Sequence, residues 1–223
     1  MSTPKHVTII GAGHGGIACA SNLRKKGFEG GITLYDEDAI DPYERPPLSK
    51  KWLTDGEDKR PLLMSKDMLE ERGIEFKGGI VVTRIDREAQ AITTQYGDTE
   101  AYDVLVLAMG GRARILRMPG HDAPNVYSLR VASDAQKLRN GLASGGHIVI
   151  IGAGYIGAEL AQMMSRMGVK VTLVARSHLL PGAEPEVSEA LAAAFTVEGI
   201  TLLTGLSYDS VRRDETGVTL RVI

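Results

Sequence analysis

The chain is poor in several things, and each shortage removes a class of function. It has one cysteine, Cys19, in 223 residues, so a disulfide framework and a cysteine-rich metal site are both excluded. Aromatic residues make up 5% and there is a single tryptophan. No apolar run approaches the roughly 20 residues of a membrane span, and Met1 to Lys5 has no signal-peptide pattern. A soluble protein of a reducing, cytoplasmic compartment is expected. The net charge is only −2, which gives no electrostatic reason to expect nucleic acid or an acidic membrane surface as partner. The five histidines (His6, His14, His121, His147 and His178) show no ligand spacing, so no metal is expected.

What the chain does have is glycine: 26 residues, against roughly 16 at about 7% average usage. Many of them fall in an internal repeat. His6 to Gly27 overlays His147 to Gly168 without a gap, with nine of 22 positions identical. Each copy opens with a short apolar run, Val7 to Ile10 or Ile148 to Ile151, of the kind that forms a strand buried on both faces. A Gly-x-Gly-x-x-Gly follows, then a stretch with helical spacing. A second apolar strand comes next, Ile32 to Tyr35 or Lys170 to Val174. Strand, turn, helix, strand, written twice, predicts an α/β fold of two Rossmann-like units with parallel sheets.

Between the copies, Ile80 to Gln95 alternates apolar and polar residues and predicts a small antiparallel β excursion. Tyr102 to Ala108 reads as another buried strand, Ala132 to Leu142 and Val187 to Glu198 as helices, and Thr201 to Leu203 with Val218 to Val222 as strands. The join is expected near Pro119 to Pro124, giving a first domain at residues 1–118 and a second at 119–223.

A lone Gly-x-Gly-x-x-Gly is weak, but here each follows a strand and opens a helix, which is the context the motif requires. The first glycine makes the turn, the second lets the backbone approach a pyrophosphate on the helix N-terminus, and the third lets helix pack on strand. Gly11, Gly13 and Gly16, with His14 and Gly15 between them, are candidate contacts to one dinucleotide. Gly152, Gly154 and Gly157, with Tyr155 and Ile156, are candidate contacts to another. The end of the second strand separates the two cofactors. A carboxylate there suits a free ribose 2′-hydroxyl, and an arginine suits a 2′-phosphate. In the first copy the position is Asp36, with Glu37 beside it, which fits FAD or NAD. In the second copy it is Ala175 followed by Arg176, which favours NADPH, with NADH as the alternative.

Several segments together resemble the FAD-dependent ferredoxin and rubredoxin reductases of oxygenase systems, along essentially the whole chain. They are Gly11-Ala-Gly-His-Gly-Gly16, Pro42-Tyr-Glu-Arg-Pro-Pro-Leu-Ser-Lys50, Leu107-Ala-Met-Gly110 and Gly152-Ala-Gly-Tyr-Ile-Gly-Ala-Glu159. The resemblance implies that the proline-rich stretch lies along the flavin, with Arg45 and Lys50 touching it and Lys50 paired with Glu159. It implies that Tyr155 gates the flavin face, that Val82 contacts the adenine, and that Ala108 to Gly110 line the same cofactor. The family has Ala-Thr-Gly at this last site; here Met109 replaces the threonine. Lys50, Glu159 and Tyr155 are thus the candidate catalytic residues. A reduced flavin is anionic, and a nearby cation stabilises it.

The resemblance further implies an enzyme that passes hydride from NAD(P)H to FAD and then electrons to a small iron–sulfur or rubredoxin-like protein. The second half also looks like the mercuric and disulfide reductases, whose paired Cys-x-x-x-x-Cys has no counterpart here, so a dithiol relay is excluded. The family's return segment, with its Gly-Asp, is not found before Ile223, since Gly97-Asp98 reads as a hairpin turn. A second chain completing the FAD site is one expectation that follows. A nucleotide-binding module without turnover, or an NAD(P)H oxidase or quinone-type reductase, are the alternative functions.

Overall fold

The computed structural model describes residues 4–55, 61–142, 145–213, 215 and 217–223. In chain order the elements begin with β1 (His6–Ile10), α1 (His14–Lys25), β2 (Gly31–Asp36), a short 3₁₀ turn (Pro46–Ser49), α2 (Lys51–Asp55), α3 (Lys66–Glu71) and β3 (Ile74–Gly78). Next come β4 (Val82–Asp86), β5 (Ala91–Thr94), β6 (Thr99–Ala101), β7 (Val104–Leu107), α4 (Ala132–Leu142), β8 (His147–Ile151) and α5 (Tyr155–Arg166). The last are β9 (Lys170–Val174), α6 (Pro185–Val197), β10 (Thr201–Leu203), β11 (Tyr208–Arg213) and β12 (Val218–Val222). Among the described residues no helix is long and apolar enough to cross a membrane.

Contacts divide the chain into two units. The first comprises Met1–Arg45 and Arg60–Arg112; the second comprises Pro46–Lys59 and Ala113–Ile223. The segment after Arg45 falls in the second unit for a physical reason: Leu48, Trp52 and Leu53 are all buried, and the 3₁₀ turn and α2 pack on α4, the turn also on α5.

In the first unit a four-stranded sheet runs in the order β3-β2-β1-β7, with each neighbouring pair parallel. Its apolar residues Val7, Ile9, Ile32, Leu34 and Ile74 form one core with Ile17 and Ala20 of α1 and Leu69 of α3. A separate antiparallel sheet, β4-β5-β6, is the excursion the alternating pattern predicts, and Ile92 packs with Ile10 and Tyr35. Polar groups join this sheet to the main one. The Tyr35 hydroxyl donates to Glu100, whose carboxylate also takes the Lys77 ammonium at 2.7 Å. Burial, then the Glu100 carboxylate, pushes the Tyr35 hydroxyl up to about 12.

The second unit repeats the plan: β10-β9-β8, parallel throughout, with an antiparallel β11–β12 hairpin. The repeat is kept to the level of single bonds. His6 Nε2 and Thr33 Oγ1 are hydrogen-bonded at 3.1 Å, and His147 Nε2 and Thr172 Oγ1 at 2.8 Å. Both histidines therefore tie the first strand of a unit to its second.

Two expectations need correction. β7 is not a buried strand: Leu107 is 55% exposed, because β7 has a partner on one side only in the sheet order. β8 is likewise less buried than β1, and Val149 is exposed, again because it is an edge strand.

Candidate functional site

Each unit builds a glycine cradle where its first strand meets its first helix. Gly11 has φ +104 and Gly152 has φ +105, conformations that L side chains rarely adopt. The turns are anchored alike: Gly11 N–H donates to Tyr35 O at 2.7 Å, and Gly152 N–H to Val174 O at 2.9 Å. The third glycines let the helix close down. A Cβ on Gly16 would collide with the carbonyl oxygen of Gly11, and one on Gly157 with that of Gly152. The middle glycines differ. A Cβ on Gly13 or Gly154 would meet nothing within 4 Å, so no described protein atom requires glycine there, and the space beside each is open. Gly13 and Gly154 are the N-caps of α1 and α5. Neither helix has a capping side chain or an acidic residue in its first turn. Both therefore present backbone N–H groups and the positive end of the dipole to an anion. These cradles fit the pyrophosphate of a dinucleotide.

Around the first cradle, a Cβ on Gly11 would also strike the Ala108 carbonyl, so the Ala108–Gly110 segment lies against the loop; Gly110 itself takes φ +67. Asp36, at the end of β2, has both oxygens engaged. Oδ2 accepts from Ala12 N–H at 2.5 Å and Oδ1 from Asp38 N–H at 2.9 Å. Tyr43 donates to Asp38 Oδ2 at 2.7 Å. A cleft bounded by Ala12, Gly13, Asp36, Asp38, Tyr43 and Arg45 results. Glu37 is exposed, with Arg112 3.6 Å away. His14 and Gly15 are exposed at the start of α1. Val82 is half-buried on β4, against the Ile10–Tyr35–Ile92 cluster. Reading carboxylates by position alone missed the Asp36–Ala12 bond.

Around the second cradle, Tyr155 and Ile156 open α5 with Tyr155 70% exposed. Glu159 lies in the second turn of α5. Its carboxylate takes the Lys50 ammonium at 2.7 Å and the Ser49 hydroxyl. Burial pushes the Glu159 carboxyl up, but Lys50 and Ser49 together outweigh it and hold the group below the usual glutamate range. Ser49 was not among the expected site residues, although it stands beside Lys50 in the same motif. At the end of β9, Ala175 is buried and Arg176 exposed. Burial pushes the Tyr208 hydroxyl up and the Arg176 charge pulls it down, so Arg176 is within electrostatic reach of Tyr208.

A model of the pyridine nucleotide-disulphide oxidoreductase family matches residues 5–223. The chain belongs to the pyridine nucleotide-disulphide oxidoreductase family. Within the family, it is 40% identical over 169 residues to rhodocoxin reductase of Rhodococcus erythropolis, covering 75% of this chain and 40% of that protein. It is 38% identical over 169 residues to the ferredoxin–NAD(+) reductase subunit of the benzene 1,2-dioxygenase system of Pseudomonas putida, covering 76% and 41%. The ferredoxin reductase of the CYP199A2 system of Rhodopseudomonas palustris superposes with a TM-score of 0.93 at 30% identity, covering 98% of this chain and 55% of that one. The chain thus spans about half the length of the relatives it matches. The family name refers to disulphide chemistry, yet Cys19, half-buried on α1, is the one cysteine in this sequence. Among the described residues no group of three or more His, Cys, Asp or Glu could hold a metal ion.

Proposed function

We propose that the chain serves an FAD-dependent oxidoreductase that takes hydride from NADPH and delivers electrons to a small ferredoxin-type iron–sulfur protein, a rubredoxin-like protein being the related possibility for acceptor. The observation that carries this reading is the duplicated cradle, closed by Gly16 on Gly11 and by Gly157 on Gly152, with unlike residues after the second strand of each copy. FAD belongs to the first unit, where Asp36, each of whose oxygens accepts one backbone N–H and keeps a further acceptor site, is the carboxylate for the ribose, with the exposed Glu37 beside it. Bound there, FAD supplies the change from two-electron to one-electron transfer.

The chain's own residues supply binding and electrostatics. Gly11, Gly13, His14, Gly15 and Gly16 receive the FAD pyrophosphate; Arg45, Val82, Ala108 and Gly110 line the same cofactor. Lys50, held by Glu159 and Ser49, is the cation that offsets the charge of reduced flavin. Tyr155 controls access to the flavin face. Gly152, Gly154, Ile156 and Gly157 receive the coenzyme. A single cysteine cannot form a dithiol pair within this chain, so the acceptor takes its electrons from the flavin. The relatives named for ferredoxin and rhodocoxin support an acceptor of that kind.

The benzene dioxygenase relative is named for NAD(+); this chain's Ala175 and Arg176 support NADPH. A charge-assisted contact to the 2′-phosphate is worth about 1.5–3 kcal/mol, or roughly 10- to 100-fold in affinity. Arg176→Ala is therefore expected to raise the NADPH Kd by roughly that factor and to leave NADH within about twofold, measured by anaerobic stopped-flow reduction of FAD-loaded protein. An equal effect on both coenzymes would remove Arg176 from the discrimination.

A further inference from the structure

β2 runs out into three successive carboxylates, Asp36, Glu37 and Asp38, and the structure gives the third a different duty from the first. Glu37 is exposed, whereas Asp38 is half-buried and bonded within the protein at three points. Its N–H donates to Asp36 Oδ1 at 2.9 Å. Its carbonyl accepts from Gly79 N–H at 3.1 Å. Its Oδ2 accepts from the Tyr43 hydroxyl at 2.7 Å.

Tyr43 opens the motif that carries Arg45, two residues further on, and it is 5% exposed. The backbone on either side of it is tied to another segment: Leu63 N–H donates to Pro42 O at 2.8 Å and Glu44 N–H to Pro61 O at 2.9 Å. Those bonds fix the motif to residues 61–63 and not to β2. The Tyr43 hydroxyl supplies a link to the end of β2. It completes a row of three hydrogen bonds, from Ala12 to Asp36, from Asp38 to Asp36 and from Tyr43 to Asp38, that leads from the glycine cradle to the motif. Ala12, Gly13, Asp36, Asp38, Tyr43 and Arg45 bound one cleft, and all of them belong to the first unit.

We infer that Asp38 and Tyr43 are positioning residues for the cofactor of the first unit: their hydrogen bond locks the motif to the strand that presents Asp36, and so sets Arg45 in register with the glycine cradle. Asp38 thus serves the protein, and Asp36 the ligand. A ligand long enough to use both the cradle and the motif gains from this, because their spacing is fixed before it binds and less ordering is left to be done on binding. A ligand that ends at the pyrophosphate uses the cradle and Asp36 and gains nothing from it. The inference rests on the FAD reading above.

The test compares FAD with ADP, which lacks the flavin half, on the full ¹⁵N-labelled chain. The Ala12 amide is the reporter, so that binding at the first cradle is read alone. Tyr43→Phe removes the hydroxyl and keeps the ring. It is expected to raise the Kd of FAD roughly tenfold, the equivalent of one hydrogen bond to a charged group, and to leave that of ADP within about twofold. Asp38→Ala should reproduce this split, whereas Asp38→Asn, which keeps an oxygen to accept from Tyr43, should stay within about threefold of the parent for both ligands. Should Tyr43→Phe not fold, the two Asp38 variants carry the comparison. If FAD binding is unchanged, or if FAD and ADP weaken alike, the inference is wrong and the FAD reading stands. If the parent chain binds ADP and not FAD, the FAD reading itself falls and takes the inference with it.

Discussion

Gly16→Ala is expected to destabilise the first unit severely, while Gly13→Ala leaves it folded and costs it the cofactor. The two glycines are three residues apart in one motif, and the structure separates their reasons for being glycine. At Gly16 an added methyl runs into the Gly11 carbonyl, a backbone atom that is itself fixed because Gly11 N–H is bonded to Tyr35 O. Nothing flexible is available to yield, so the cost lies at or above the top of the about 1–3 kcal/mol range for overpacking. For a chain of this length that is a fall in Tm of roughly 6–12 °C.

At Gly13 the backbone is ordinary, with φ −72, and a methyl meets no protein atom within 4 Å. Replacing an N-cap glycine by alanine costs less than about 1 kcal/mol. The methyl does occupy the line of approach of a pyrophosphate, so FAD affinity should fall more than tenfold at nearly unchanged Tm. Thermal unfolding and FAD titration on the two variants check this. Equal loss of stability in both would mean that the open space beside Gly13 is not a ligand's.

Trp52→Ala is the second large effect. Trp52 is 2% exposed, and truncating a buried tryptophan costs about 3–5 kcal/mol, a large share of the 5–15 kcal/mol that holds a typical domain together. It anchors α2, which follows directly on Ser49 and Lys50. The Lys50–Glu159 pair is half-exposed on both sides, and pairs of that kind contribute about 0–1 kcal/mol. The segment is therefore held by apolar burial, and the ion pair is carried by it. Lys50→Ala should leave the unfolding midpoint of the second unit within about 2–4 °C of the parent, while Trp52→Ala lowers it several times further. A Lys50→Ala protein as unstable as Trp52→Ala would show that the pair is structural.

The repeat made the core of both units legible because its signals are local: a strand that must be apolar, a turn that must be glycine, a helix that must start at once. The antiparallel excursion was legible from alternation between Ile80 and Gln95. What was not legible depends on the rest of the chain. Pro46 to Asp55 reads as a proline-rich loop, and only tertiary packing of Leu48, Trp52 and Leu53 makes it part of the second unit. Tyr102 to Ala108 reads as buried because Val104, Leu105, Val106 and Leu107 are apolar, but burial of a strand depends on its place in the sheet order, and β7 is an edge. Asp36 was picked out for its position; that its carboxylate also holds the Ala12 N–H is a matter of reach, which spacing does not encode.

The central claim is that this chain presents one cradle to FAD and another to NADPH. The most direct measurement is the visible spectrum of the purified chain with FAD supplied, before and after anaerobic addition of NADPH and, separately, NADH. A bound-flavin band that NADPH bleaches faster than NADH is the result the account predicts. Failure to retain any flavin band with FAD in excess, or a retained band that neither nucleotide bleaches, would contradict it.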